Sequence, residues 1–164
     1  MTKPLRLGIA GLGTVGVGVI KIIQNKLPLL EARTGRKILI SAISAQSKTK
    51  DRGIDLSSYQ WESDPISLAT REDIDVFIEL IGGHEGVAKK AVGLAISKGK
   101  DVVTANKALL AHHGHELALK AEKNGAALRF EAAVAGGIPV IKSLTEGLAG
   151  NTINRVMGVM NGTC

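Results

Sequence analysis

The chain contains one cysteine, Cys164, so no disulfide can close within it, and a reducing cytoplasm is the expected setting. Aromatic residues make up only 2% of the 164 residues, too few for a platform on which nucleic-acid bases stack. Tyr59 and Trp61 are therefore read as packing or loop anchors. No apolar run approaches the ~20 residues of a membrane span. The N-terminus lacks a secretory signal's apolar core, because a charged residue and glycines interrupt it. Repeats, low-complexity runs and internal domain boundaries are also missing. The four histidines, His84, His112, His113 and His115, lack the cysteine or carboxylate spacing of a zinc site. His112 and His113 are adjacent and cannot share a helix face, so surface or capping roles are expected. The net charge is +6, but basic residues concentrate only at Lys48, Lys50 and Arg52. That balance fits an anionic small molecule or a solvated surface better than nucleic acid.

What is present is a 45% hydrophobic chain, mostly Ala, Ile, Leu and Val, long enough for one domain with a real core. It also has twenty glycines, and the most informative of them follow the apolar run Leu5–Ala10. Gly11, Gly13 and Gly16 form a G-x-G-x-x-G turn, after which Val17, Val19, Ile20 and Ile23 fall at helical spacing. In a dinucleotide site the first such glycine makes the tight turn, the second lets backbone approach the pyrophosphate, and the third lets helix and strand pack closely. The helix N-terminus then offers unpaired N–H groups and a positive dipole end to the anion. Gly11, Gly13, Thr14, Val15 and Gly16 are therefore candidate cofactor contacts.

The rest of the chain alternates strand and helix. A helix is expected from about Thr14 to Lys26, with Pro28 ending it or beginning another turn and Thr34-Gly35 closing the unit. The β-branched run Ile38–Ile43 predicts a second strand, and 44–64 is polar and reads mostly as loop. Asp75–Ile81 reads as a buried strand, with helical spacing over Gly86–Lys98 and a short strand at Asp101–Thr104. Helical spacing resumes through Leu117 and Ala121 and ends at Asn124-Gly125. Strands are expected over Ala127–Ala132 and Ile153–Met160, with a helix opened by Pro139 between them. This order predicts an α/β, Rossmann-type, doubly wound and mostly parallel sheet with helices on both faces, covering residues 1–164.

A fold of this kind that prefers NAD carries an acidic residue at the end of its second strand, on the ribose hydroxyls. Here that end reads Ser44-Ala45-Gln46-Ser47-Lys48, without a carboxylate. Small hydroxyls and Lys48 suit a 2′-phosphate, so NADP is favoured over NAD. A solvated basic loop is the competing reading of Lys48 and Lys50.

Four segments occur in order: Gly-Leu-Gly-Thr-Val-Gly (11–16), Val-Val-Thr-Ala-Asn-Lys-Ala-Leu-Leu-Ala (102–111), Phe-Glu-Ala-Ala-Val-Ala-Gly-Gly-Ile-Pro-Val-Ile (130–141) and Gly-Val-Met-Asn-Gly-Thr (158–163). Together they resemble the nucleotide-binding part of homoserine dehydrogenase over nearly the whole chain. The resemblance implies NAD(P)H-dependent reduction of L-aspartate 4-semialdehyde to L-homoserine, on the route to threonine, methionine and isoleucine. It also implies a homodimer, and a substrate and dimerisation domain absent from this chain. The family's proton-donating lysine, and the acidic residues that hold the substrate amine, would lie beyond position 164.

Site residues follow from both lines of reasoning. Lys107 sits just past a strand end, where ligands of open sheets bind, and its ammonium suits the oxygen that turns alkoxide-like as hydride arrives. The resemblance puts Lys107 beside the nicotinamide, and Ile81 and Gly82 on the ribose–nicotinamide side. Thr104 is expected to contact the cofactor by hydroxyl or backbone, and Asn106 to cap the following helix. By resemblance, Gly162 also reaches the cofactor, and the carbonyls of Glu131, Val134, Gly136 and Ile138 hold a monovalent ion, usually sodium. A glycine-rich turn that only shapes the domain is the alternative for that last segment. Glu79 is either a site carboxylate or a satisfied structural one. Two rival readings are a dehydrogenase for another small substrate and a non-catalytic NAD(P)-binding module.

Overall fold

The structure, a computed structural model, describes residues 2–158. Six strands form one all-parallel sheet: β1 (Leu5–Ala10), β2 (Ile38–Ser44), β3 (Gln60–Glu62), β4 (Val76–Glu79), β5 (Asp101–Thr104) and β6 (Leu128–Arg129). Their order across the sheet is β3-β2-β1-β4-β5-β6. The winding reverses between β1 and β4, and a ligand crevice opens at the carboxyl ends of strands at such a point.

Side-chain alternation splits the core into two layers. Leu7, Ile9, Val76 and Ile78 point to one face, where they meet Ile20 and Leu12 with Val19, Ile23, Leu27 and Leu30 around them. That face is covered by α1 (Thr14–Thr34). Ala10, Ala42, Phe77 and Val102 point to the other face. There they pack against Leu68, Ala95, Leu109 and Leu117 from α2 (Pro65–Thr70), α3 (Val87–Ser97) and α4 (Lys107–Lys123).

Three expectations are corrected and one is refined. Pro28 does not end α1, which continues past Lys26 to Thr34 because Leu27 and Leu30 still pack on the core. Pro28 itself is exposed, so the carbonyl it leaves without a partner can meet water. The helix stops at Gly35, where the sequence closes the unit; this glycine is left-handed at φ 66° and its N–H donates to the Glu31 carbonyl. The polar 44–64 stretch is mostly loop as expected, but it also holds β3, a three-residue edge strand too short to show a period. The Ala127–Ala132 strand shrinks to Leu128–Arg129, because the chain winds into a tight turn at Glu131–Ala133. No strand forms over the described part of Ile153–Met160. Residues 151–158 are exposed and bond to no strand edge, and alternation alone does not satisfy a backbone.

The amino ends of the strands are tied by ions. Asp75 accepts from Arg6 Nε at 3.0 Å, Arg6 Nη2 at 2.8 Å, Lys3 Nζ at 3.0 Å and the Arg6 backbone N–H at 3.0 Å. The Arg6 guanidinium, bonded to it, holds its carboxyl far below the usual carboxylate range. Such a lowered group contributes its full stability above the unfolded value near ~4 and loses it as pH falls toward the folded value. Asp75→Asn should therefore cost about 1–2 kcal/mol at pH 7. Urea unfolding should show that difference shrinking below about pH 4; a difference that persists unchanged to pH 2 would refute the ionic origin.

Candidate functional site

The turn from β1 into α1 divides its three glycines by role. Gly11 has φ +97°, and a Cβ there would lie 2.2 Å from the Leu80 carbonyl oxygen on the neighbouring β4 segment. A Cβ on Gly16 would lie 1.9 Å from the Gly11 carbonyl oxygen. Gly13 is the opposite case: an added Cβ would meet nothing within 4 Å. The outer two glycines thus bring turn, strand and helix into contact, and the middle one leaves open space in front of the helix. Gly11 N–H also donates to the Ser44 carbonyl at 2.8 Å, which registers the turn against the end of β2.

Among the described residues no side chain caps α1, and its first turn holds no acidic residue. Its leading N–H groups therefore face outward unpaired, in the positive end of the helix dipole. Thr14 and Val15 are exposed there, and Gly16 is buried.

An open cleft of about 420 Å³ begins at this mouth. Gly11, Gly13, Ser44, Ser47, Arg52 and Ile81 are among the residues that line it, and none of its lining is acidic. Ser44 is fully buried, and its Oγ is the one buried side-chain polar atom without a partner among the described residues. A buried hydroxyl without a partner is costly unless a ligand or water meets it. Arg52 is fixed by backbone carbonyls: Nε to Leu12 at 3.2 Å, Nη1 to Lys50 at 2.8 Å and Nη2 to Ser47 at 2.6 Å. Its guanidinium carbon sits 5.7 Å from the Trp61 ring centre, and no carboxylate pairs with it among the described residues. Lys48 is exposed and does not line the cleft, so the basic group at the β2 end is Arg52 with Lys50. Sequence reasoning chose Lys48 by nearness in the chain; Arg52 returns to the strand end through the loop.

Across the crevice, Glu79 ends β4, and Thr104 ends β5 opposite it in register. The Thr104 hydroxyl donates to Glu79 and accepts from the Asn106 N–H, so its proton is committed inside the protein. Thr104 as a whole is fully buried and does not line the cleft, so it offers no exposed atom for the cofactor contact expected of it. Asn106 caps α4 as expected, its Oδ1 accepting from the Leu109 N–H at 3.0 Å. Lys107 follows as the first residue of α4, exposed, with no carboxylate partner among the described residues. Ile81 lines the cleft and Gly82 is exposed beside it at φ +87°.

The cation candidates lie elsewhere, on the exposed turn after β6. The Glu131 carbonyl already accepts from Val134 N–H and the Ile138 carbonyl from Val140 N–H. The Glu131 carboxylate is also occupied, accepting from the N–H groups of Ile141 and Lys142. Val134 and Gly136 carbonyls have no hydrogen bond among the described residues. Gly162 lies outside the described residues. The histidines turn to the loop after β4: His112 stacks on His84 with ring centres 4.2 Å apart, and His113 Nε2 lies 2.7 Å from Glu85. Adjacent on α4, they reach successive residues of one loop. No helix among the described residues is long and apolar enough to cross a membrane.

The comparisons with known proteins agree with this geometry. A family model described as "Homoserine dehydrogenase, NAD binding domain" matches residues 11–131. A homoserine dehydrogenase of Neisseria gonorrhoeae is 48% identical over 161 residues, covering 98% of this chain and 37% of the relative. One from Pseudomonas aeruginosa is 45% identical, with 98% and 36% covered. The chain thus spans little more than a third of the curated relatives it matches. Among solved structures, a homoserine dehydrogenase from Thiobacillus denitrificans superposes with a TM-score of 0.83 at 40% identity, covering 91% of this chain and 34% of that one. One from Thermoplasma acidophilum gives 0.70 at 27% identity, with 90% and 49% covered.

The glycine geometry makes a paired prediction. Gly13→Ala should leave thermal stability within about 0.5 kcal/mol and weaken dinucleotide binding about tenfold or more, by filling the anion mouth. Gly16→Ala should destabilise the fold itself by about 2 kcal/mol or more, through collision with Gly11. Calorimetric titration and thermal melts of both variants check it; equal effects on both readouts would contradict the division of roles.

Proposed function

Because the chain belongs to the homoserine dehydrogenase family, as its NAD-binding domain, we propose that it holds the nicotinamide cofactor for reduction of L-aspartate 4-semialdehyde to L-homoserine. The observation that carries this reading is the uncapped first turn of α1 behind the open space at Gly13. The cofactor's pyrophosphate would sit there on the N–H groups of Thr14, Val15 and Gly16, with Gly11 and Gly13 leaving room for it. When bound, the dinucleotide supplies the hydride that converts the aldehyde to a primary alcohol.

The reading takes NADP in preference to NAD. An unpartnered Ser44 hydroxyl, Ser47 and the anchored Arg52 gather at the β2 end, where no carboxylate stands to receive ribose hydroxyls. Arg52 offers a fixed, always charged group for a 2′-phosphate, held at little entropic cost because carbonyls already position it. On the nicotinamide side, Ile81 and Gly82 would form the wall, with Thr104 buried behind them. Lys107 would stabilise the negative charge that develops on the carbonyl oxygen as hydride reaches carbon. The proton that completes the alcohol and the groups that hold the substrate amine belong, in this reading, to the part of the relatives' length that this chain does not span. Homodimer contacts and the cytoplasmic setting are part of the same proposal. A monovalent cation would use the carbonyls of Val134 and Gly136, with Glu131 and Ile138 sharing oxygens that already accept a hydrogen bond.

Two substitutions test the assignment. Arg52→Ala should weaken NADPH binding about tenfold and leave NADH binding within about twofold, as read by calorimetry; equal losses would remove the 2′-phosphate role. Lys107→Ala, in the complete gene product, should lower turnover about 100-fold or more with a small change in NADPH affinity. Unchanged turnover would take Lys107 out of the chemistry.

A further inference from the structure

The mechanism above leaves one buried ionisable group unused. Glu79 is fully buried at the carboxyl end of β4, on the cleft side of the sheet. Its Oε1 accepts from the backbone N–H of Ile81 at 2.8 Å, from that of Gly82 at 3.1 Å and from the Asn106 side-chain amide at 3.4 Å. Its Oε2 accepts from the Thr104 hydroxyl at 2.6 Å. Asn106 Nδ2 goes on to donate to the Gly83 carbonyl at 2.6 Å, and Asn106 Oδ1 caps the helix that begins at Lys107. One side chain thus joins the turn after β4, the end of β5 and the start of α4. Four donors and no acceptor surround it, the pattern that a carboxylate alone satisfies.

The bonds also fix which way two peptides face. Every peptide bond among the described residues is trans, so each N–H and the carbonyl of its own peptide point in opposite directions. Drawing the Ile81 N–H inward sends the Leu80 carbonyl outward, and that oxygen does lie against Gly11. Drawing the Gly82 N–H inward sends the Ile81 carbonyl toward the cleft that Ile81 lines. The next two residues, Gly82 and Gly83, sit at φ +87° and +79° with open space around them, so the backbone offers little resistance to a flipped peptide.

We infer that Glu79 is a positioning residue that locks the Ile81–Gly82 peptide with its carbonyl facing the cleft, making the nicotinamide-side wall an acceptor for the ribose hydroxyls and carboxamide of the cofactor. The inference rests on the nucleotide reading of the same cleft. Through Asn106, the same carboxylate sets where Lys107 begins α4. Glu79 touches neither cofactor nor substrate, and acts through the groups it orients.

The test separates the two halves of the cofactor. Glu79→Gln keeps the size of the side chain but turns one acceptor into a donor among donors. NADPH is titrated by calorimetry and by the emission of its reduced nicotinamide, and 2′,5′-ADP reports the adenylate half alone. The variant should lose about tenfold in NADPH affinity and most of the emission change, with 2′,5′-ADP affinity within about twofold of wild type. Thr104→Val, which removes the donor to Glu79 and the acceptor of the Asn106 N–H with little change of shape, should move NADPH binding the same way by about threefold. That second variant decides the matter if Glu79→Gln does not fold. NADPH binding and emission left unchanged, or both ligands weakened alike, would overturn the inference while 2′,5′-ADP binding by wild type still upheld the nucleotide reading. Wild type that binds neither ligand would remove both.

Discussion

The contact on which this architecture depends is the near collision of backbone at the first turn. Gly11, Gly16 and the Leu80 carbonyl approach so closely that no Cβ fits between them. That approach brings the N-terminus of α1 over the point where the sheet's winding reverses, between β1 and β4. With bulkier residues the helix would have to stand off from the sheet, and its N–H groups would no longer meet at the crevice. The open space at Gly13 is the complement of the crowding on either side.

Polarity is distributed along the strands in the same spirit. At their amino ends, Asp75 is held by Arg6 and Lys3, and Arg71 pairs with Asp73. Lys100, whose ammonium burial pushes below the usual lysine range, donates there to the Arg71 and Ile74 carbonyls. The ion pairs and the carbonyl-held ammonium together close the bottom of the sheet. At the carboxyl ends the pattern changes. Among the described residues Ser44 Oγ has no partner and Arg52 is bonded only to carbonyls, and Lys107 stands exposed at a helix start. Glu79 is the exception, fully bonded, and what it bonds are the loops that edge the crevice. Paired charges hold the amino side of the scaffold; at the crevice, Arg52 and Lys107 stand without a carboxylate among the described residues.

Much of this was legible in the residues themselves. Leu5–Ala10 and Asp101–Thr104 form strands at the boundaries that their apolar runs imply, because each ends at a residue the turn chemistry marks. The glycine turn could be read because each glycine answers a steric demand local to the turn. Pro28 misled because burial of Leu27 and Leu30 outweighs one missing hydrogen bond on the solvent side. Arg52 was visible only as part of a basic patch, since its return to the β2 end depends on a loop anchored by carbonyls. For Glu79 the sequence left two roles open, and the choice needed three loops brought together across 27 residues of chain to Asn106. Contacts set by local sterics can be read along the chain, whereas those set by loop closure cannot.

The family match over residues 11–131 and the shared fold leave one proposition to be met directly: that the mouth of α1 holds the diphosphate of the cofactor. Amide NMR of the nitrogen-15-labelled protein during NADPH titration tests it at the atoms concerned. The account predicts the largest saturable shifts at the N–H groups of Gly13, Thr14, Val15 and Gly16, with smaller ones at Ile81 and Gly82. Shifts confined to another part of the surface, with these amides unmoved at saturation, would contradict it.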